Sequence, residues 1–137
     1  MTWTPTIEAA IWHRYYSSLR SLCVEQILTS SIGAVIVSAI SLFAYTNGLI
    51  GLLLGSAAIF GSLSMCLWWL FQFRNTVHLE RKWMSLWMDL VLSPRGKWND
   101  DTLREKIRSL HDADPYDVNM VVLLKVRSEV ALEHASD

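Results

Sequence analysis

Apolar positions along the chain form two long runs that lie between amphipathic segments. From Gln26 to Phe73 there are 48 residues without Asp, Glu, Lys, Arg or His. One bilayer span needs about 20 apolar residues, so this stretch is long enough for two spans and a turn. We predict spans over residues 27–45 and 49–72. They are joined at Thr46-Asn47-Gly48, because Asn-Gly tolerates the positive φ of a tight turn.

The segment before the first run has the apolar spacing of a helix. Apolar residues recur there three or four positions apart, at Ile7, Ile11, Tyr15, Leu19 and Leu22. Pro5 fits a helix start, and Trp3 and Trp12 suit the headgroup region of a membrane. We expect an interfacial helix that lies along the membrane and turns into the first span near Glu25.

The segment after the second run predicts further helices. One helical face carries Leu79, Trp83, Leu86 and Leu90, so the second span continues beyond the membrane. The residues Ser93-Pro94-Arg95-Gly96 end this helix. A short helix follows, capped by Asn99 or Asp100, with an apolar face of Leu103, Ile107 and Leu110.

The last element has two interpretations. Asp114 is a good N-cap and Pro115 fits a first helical position, which favours a helix from Tyr116 to about His134. The stretch from Val118 to Val126 is rich in β-branched residues, as strands are. Helix is the favoured interpretation and strand stays open.

These elements predict an all-α membrane protein built on a two-span transmembrane helical hairpin. Its parts are an N-terminal amphipathic interfacial helix (residues 1–25), the hairpin (26–73) and a cytoplasmic C-terminal helical region (74–137). Cations flank the hairpin at Arg14, Arg20, Arg74, Arg81 and Lys82, and the turn has none. Because Lys and Arg collect on the cytoplasmic side, both termini are expected there. Trp68, Trp69, Phe71, Phe73 and Tyr45 would form the aromatic belts.

Charge and composition exclude several classes of function. The net charge of −1 predicts no direct nucleic-acid binding. A span without ionisable groups argues against a proton pump, a coupled transporter or a voltage sensor. Cys23 and Cys66 have no zinc spacing, so we expect no metal and no cofactor. About 64 residues after the hairpin are few for an independent core, which predicts a homo-oligomer.

Small and hydroxyl residues mark one candidate site inside the hairpin. They lie along one side of each span, at Ser31, Ser38, Ser41, Gly51, Gly55, Ala58 and Ser62. Helix faces made of small residues allow two helices to approach closely in lipid, so these residues can simply pack the two spans together. Alternatively, one face packs between subunits while another lines a pore.

A second candidate site is a set of cations beside an aromatic ring. Arg74, Arg81, Lys82, Arg95 and Trp98 are candidates for contact with an anionic headgroup, a nucleotide second messenger or a partner protein. A merely solvated face is the alternative. Arg104 with His111, and Arg127 with His134, have the spacing of some HEPN nucleases, but such pairs are expected by chance. No enzyme activity is predicted.

The layout resembles the SLATT family of bacterial two-span proteins over roughly residues 8–134. The features that carry the resemblance are the amphipathic start, the hairpin with its tiny turn, and the charged aromatic helix around Glu80-Arg81-Lys82-Trp83. The resemblance implies an oligomeric effector that perforates or depolarises the bacterial inner membrane in antiphage defence. A nucleotide signal or a sensor protein would trigger it. The alternative function is a non-conducting membrane adaptor that docks a cytoplasmic partner through the C-terminal helices.

Overall fold

The computed structural model describes residues 4–92 and 98–136, and the described residues are almost entirely helical. The helices are α1 (Pro5–Ala44), α2 (Leu49–Leu92), α3 (Asp100–Asp112) and α4 (Met120–Ala135), with a short 3₁₀ turn at Tyr45–Asn47 between α1 and α2. The all-α prediction is confirmed. The helical interpretation of the last element is confirmed as well. The predicted stop at Ser93-Pro94-Arg95-Gly96 lies outside the described residues.

Helix α1 differs from the prediction because it has no break near Glu25. It runs without interruption from Pro5 to Ala44, so the predicted turn of the chain near Glu25 is wrong. The sequence from Thr6 to Ile32 contains neither Gly nor Pro, so nothing local ends the helix there. Pro5 is the first helical residue, as predicted.

The turn between α1 and α2 follows the Asn-Gly prediction. Gly48 has a φ of 90°, a conformation that a Cβ atom would strain and glycine adopts freely. The Thr46 hydroxyl donates to the Phe43 carbonyl oxygen at 2.6 Å, and the amide of Leu52 donates to the Gly48 carbonyl oxygen at 3.1 Å. The first bond satisfies a carbonyl that the end of α1 leaves without a helical partner, and the second is the first backbone bond of α2.

The chain divides into two compact units. One unit, here called the hairpin, comprises Ser21–Arg74. The other, here called the bundle, comprises Met1–Arg20 with Asn75–Asp137. The N-terminal segment therefore folds with the C-terminal helices, and it adds apolar surface to a region that was expected to be short of a core.

The bundle core is formed by one face of each helix. The predicted stripe on α2 is buried at Leu79, Trp83, Leu86 and Leu90, and α3 buries Leu103 and Leu110. The remaining buried apolar residues are Ala9, Ile11, Trp12, Tyr15 and Tyr16 of α1 and Leu123, Val126 and Val130 of α4. Protein thus covers the apolar face of the N-terminal segment, a face that the sequence had assigned to a membrane surface.

The connection between α3 and α4 corrects the predicted cap. Helix α4 begins at Met120, and Asn119 is its N-cap, with a side-chain oxygen that accepts from the amide of Val122 at 3.3 Å. Asp114 is not the cap, because its carboxylate accepts from the Tyr16 hydroxyl at 2.8 Å and from the Tyr116 amide at 3.1 Å. Asn99 precedes α3 as its N-cap residue without a side-chain capping bond.

Two helices, α1 and α2, are long and apolar enough to cross a membrane. Of the qualifying apolar stretch in each, 0% is buried in α1 and 6% in α2, whereas a core helix of a soluble protein buries most of such a stretch. Large apolar side chains such as Leu42, Phe43, Leu54 and Phe60 are exposed in the hairpin. This degree of exposure fits a lipid surrounding.

The first prediction concerns the bundle core. Leu79 is 1% exposed and Leu92 is 75% exposed on the same helix. Leu79→Ala removes packed apolar volume, so it should lower the free energy of unfolding by about 2–5 kcal/mol. Leu92→Ala, the same chemical change at the surface, should stay within about 0.5 kcal/mol. Denaturant unfolding of the full chain in detergent, followed by tryptophan fluorescence, measures both, and equal effects would contradict this account of the core.

Candidate functional site

Three helices of the bundle meet at an aromatic cluster. Trp12 of α1 stacks on Trp83 of α2, with ring centroids 5.9 Å apart. The imidazole of His111, on α3, meets both rings edge-on, at 4.6 Å from Trp12 and 5.2 Å from Trp83. Each aromatic contact of this kind stabilises the folded state by about 0.5–1.5 kcal/mol, in addition to the contribution from buried apolar surface. The cluster therefore fixes α1, α2 and α3 against one another.

His111 also connects the cluster to a charged cleft. Its Nε2 lies 3.4 Å from Oε1 of Glu8. The cleft has a volume of about 590 Å³ and lies between the first turn of α1 and one side of α3 along its length. Its walls are formed by Pro5, Glu8, Asp100, Leu103, Arg104, Ile107, Arg108 and His111.

A neighbouring cleft of about 320 Å³ shares Glu8 with the first and adds Ile11, Trp12 and Arg127. Guanidinium groups bind carboxylates and phosphates in a bidentate manner. The carboxylates of Glu8 and Asp100 offset part of that positive charge. Side chains of both charges therefore line the two clefts.

The described residues of the predicted cation site do not line this cleft. Arg81 and Lys82 are exposed on α2, Arg74 is exposed in the hairpin, and Arg95 lies outside the described residues. Trp98 is half-buried and packs against the bundle core. Arg104 and His111, which the sequence paired only by chance spacing, do line one cleft.

The segment between α3 and α4 is attached to α1 through the hydroxyls of two adjacent tyrosines. The Tyr16 hydroxyl donates to Asp114, and the Tyr15 hydroxyl accepts from the amide of Asn119 at 2.8 Å. Burial raises the pKa of the Tyr16 phenol, and the hydrogen bond to Asp114 raises it further. The pKa of Tyr15 is also raised, mainly by burial. Both phenols are therefore held in their neutral form.

Two ion pairs complete the bundle. The guanidinium of Arg14 donates to both oxygens of Glu133, at 2.8 and 2.7 Å. This bidentate contact raises the pKa of Arg14 and lowers that of Glu133. Arg20 lies 3.0 Å from the buried carboxylate of Glu80. Arg14 and Arg20, which the sequence treated only as cations that orient the hairpin, are thus structural partners of acidic residues far along the chain.

In the hairpin, Gly55 and Ser41 mark the close approach of the two helices. A Cβ atom at Gly55 would lie 3.1 Å from the Cβ atom of Ser41, whereas one at Gly61 would meet nothing within 4 Å. A cavity of about 130 Å³ beside this contact is lined by Ser38, Ser41, Gly51 and Gly55 among others. Ser62 is half-buried, while Ser31 and Ala58 are exposed.

The serine hydroxyls of the hairpin bond to their own helices. Ser31, Ser38 and Ser41 each donate to the carbonyl oxygen four residues earlier, at 2.7 Å. The Ser41 hydroxyl also lies 3.4 Å from the Gly55 carbonyl oxygen. Because a polar group without a partner is costly in lipid, these bonds make the hydroxyls acceptable there.

Comparison with known proteins gives no match to a family model, to a curated protein or to a solved structure. The resemblance to the SLATT family consequently rests on the layout of the chain alone. Among the described residues, no group of His, Cys, Asp and Glu is arranged to hold a metal ion.

The second prediction tests the close approach in the hairpin. Gly55→Leu should separate the two helices and lower the midpoint of thermal unfolding, because the new side chain meets Ser41. Gly61→Leu should leave the midpoint unchanged or raise it, because its Cβ has open space and leucine has a higher helix propensity by about 0.8–1 kcal/mol. Circular dichroism of both variants in the same detergent gives the comparison. A larger loss for Gly61→Leu would show that the helices are packed differently.

The third prediction uses the neutral tyrosines. Because folding raises the pKa of Tyr16, the stabilisation from its neutral phenol is complete below the unfolded value near 10 and is lost as the pH rises above it. Wild-type protein should therefore lose stability as the pH rises from 10 to 12. Tyr16→Phe should have a free energy of unfolding about 1 kcal/mol lower than wild type at neutral pH, because it lacks the hydrogen bond to Asp114. Its free energy of unfolding should fall less than that of wild type over this pH range.

Thermal unfolding at each pH measures that difference. Tyr45→Phe, which removes an exposed phenol, is the matched control and should keep the wild-type pH dependence. An identical alkaline loss in Tyr16→Phe and wild type would contradict the role assigned to this phenol.

Proposed function

We propose that this protein is an oligomeric membrane effector whose hairpin crosses the bacterial inner membrane twice and forms or gates a pore. The observation that carries the proposal is the stretch of 48 residues without an ionisable side chain. This stretch folds into two helices that expose their apolar side chains. Two helices alone cannot enclose a path through a bilayer, so a pore requires several copies of the chain.

The chemistry of the hairpin favours passive conduction over coupled transport. Proton relays and coupled transporters need groups such as Asp, Glu, Lys, Arg or His within the membrane, and the stretch from Gln26 to Phe73 has none of these five. Serine hydroxyls can line a polar path without a buried charge. Ser38 and Ser41 border a small cavity where the two helices come close.

The distribution of cations supports an orientation with both termini in the cytoplasm. Arg14 and Arg20 precede the hairpin, Arg74 is its last residue, and Arg81 and Lys82 follow it. The turn has no cation. Lys and Arg near the ends of spans remain on the cytoplasmic side. In this orientation the bundle faces the cytoplasm.

The charged cleft of the bundle is the site where a trigger would act. Arg104 and Arg108 line it together with His111, and arginines of this kind bind nucleotide phosphates or acidic protein segments. The cleft includes Glu8 of α1, a helix that contributes residues to both units. A ligand that displaces Glu8 therefore acts on a helix that continues into the hairpin. The resemblance to the SLATT family supports a role in antiphage defence.

The fourth prediction concerns the membrane potential. Induced expression of the full chain in bacteria, alone or with its neighbouring genes, should depolarise the inner membrane, as measured with a potential-sensitive dye. Ser38→Leu and Gly55→Leu should reduce the depolarisation at equal protein level in the membrane, because each fills the serine-lined cavity. Glu105→Gln, an exposed change on α3, is the control and should behave as wild type.

A normal potential under both conditions, with wild-type protein inserted in the membrane, would refute the pore. If Ser38→Leu and Gly55→Leu depolarise the membrane as strongly as wild type does, the conducting path lies elsewhere than in this cavity.

A further inference from the structure

One exposed face of helix α2 changes from apolar to basic along its length. The helix runs without interruption from Leu49 to Leu92, so residues three, four or seven positions apart share a face. In the hairpin this face exposes Leu63 at 50% and Leu67 at 66% of their surface. Beyond the charge-free stretch the same face carries exposed basic residues at Arg74, His78 and Arg81. The change falls where α2 would leave the hydrocarbon of a bilayer.

The bundle part of this face, here called the basic patch, consists of His78, Arg81 and the adjacent exposed residue Lys82. Within residues 4–92 and 98–136, neither Arg81 nor Lys82 forms an ion pair. Glu80 is the only acid in the sequence between Gln26 and Met88. Its carboxylate is buried and lies 3.0 Å from Arg20, so it does not neutralise the patch.

Cations outnumber acids in the sequence on either side of the charge-free stretch. Because Arg20 and Glu80 compensate each other, the remaining cations before Asp89 are Arg74, Arg81 and Lys82. The exposed Glu25 of α1 offsets one of these three charges. Two positive charges therefore remain, and they call for an anion from outside the chain.

The basic patch lies within reach of a headgroup layer. An α-helix rises 1.5 Å per residue, so Arg81 and Lys82 lie about 10–12 Å further along α2 than Arg74. The headgroup layer of a bilayer extends about 5–8 Å beyond the hydrocarbon on each side. Arg and Lys have long apolar stems that carry their charged ends towards the interface. A lipid phosphate beside α2 is therefore accessible to both side chains.

We propose that the basic patch binds the phosphate of an anionic phospholipid in the cytoplasmic leaflet. Cations just beyond a span are attracted to the negative surface of that leaflet. The guanidinium of Arg81 can bind a phosphate through two hydrogen bonds, and Lys82 adds a second charge. The proposal rests on the bilayer crossing in the proposed function and gives that crossing a lipid preference.

The continuity of the face favours lipid over other occupants. A phospholipid stands roughly parallel to a spanning helix, so a molecule whose acyl chains lie on Leu63 and Leu67 places its headgroup further along the same face. One lipid can therefore contact both the apolar and the basic part of α2. A second copy of the chain fits less well, because a two-fold contact through Arg81 and Lys82 would bring like charges together.

The fifth prediction is a preference for anionic lipid, measured with the full chain in nanodiscs. Phosphatidylglycerol with brominated acyl chains is mixed into phosphatidylcholine, and its binding is followed by the quenching of tryptophan fluorescence. Trp68 and Trp69 report on neighbouring lipid, because they lie six and five residues before Arg74. Wild type should reach half-maximal quenching at about a tenfold lower mole fraction of brominated phosphatidylglycerol than of brominated phosphatidylcholine. Salt at 1 M should reduce this preference, because it screens charges beyond about 3 Å.

Matched variants assign the preference to the patch. Arg81→Gln/Lys82→Gln should lose most of it, because each cation near an anionic surface strengthens binding about fivefold. Lys106→Gln/Lys125→Gln removes the same charge from exposed positions on α3 and α4, and it should keep the wild-type preference. Arg81→Lys/Lys82→Arg should keep it as well, which separates the loss of charge from a loss of folding.

Several results would overturn the proposal. One is equal quenching of wild type by the two brominated lipids. Another is a preference that persists in Arg81→Gln/Lys82→Gln. A third is an equal loss in Lys106→Gln/Lys125→Gln, since the attraction would then come from the overall charge. A preference abolished by inorganic phosphate at constant ionic strength would assign the patch to a soluble anion and would also refute lipid as its occupant.

The outcome is separable from that of the proposed function. A chain that does not insert into the nanodisc bilayer would refute the crossing and the lipid site together. Insertion without a lipid preference would refute the lipid site alone. Depolarisation of cells by a chain that shows no lipid preference would leave the pore standing.

Discussion

The stacking of Trp12 on Trp83 holds the first turns of α1 against the second half of α2, and the rest of the bundle is assembled on that pair. His111 adds α3 through edge contacts with both indoles. Tyr15 and Tyr16, one turn further along α1, attach the segment before α4 through Asn119 and Asp114. A short region after the hairpin thus obtains a core by recruiting the start of the chain, which solves the shortage of apolar surface that its length alone implies.

The sequence predicts the features that depend on neighbours along the chain. The two apolar helices follow from the charge-free stretch, the turn follows from Asn47-Gly48, and the buried face of α2 follows from the spacing of Leu79 and Trp83. Each of these signals lies within a few turns of one helix, where periodicity decides which side is apolar. Periodicity also found the apolar face of the N-terminal segment.

What the sequence could not supply is the partner of each face. An amphipathic helix next to a span can cover itself with lipid or with protein, and its pattern is the same in either case. The Arg14–Glu133 pair joins residues 119 positions apart, so no local spacing predicts it. The start of α4 was misplaced for the same reason, because Asp114 is an excellent N-cap by type yet is held by Tyr16 from another helix. The cleft around Arg104 and His111 likewise exists only once α3 packs beside Glu8.

Helix α4 illustrates how a sequence can be ambiguous for a physical reason. Its run of β-branched residues suggested a strand because apolar residues occupy both sides, and a one-sided helical pattern is therefore missing. The structure shows that the inner side packs into the bundle while Val121 and Leu124 stay exposed. An exposed apolar side of this kind lowers the solubility of an isolated bundle. The same composition that obscured the secondary structure thus leaves apolar side chains on the outer side of α4.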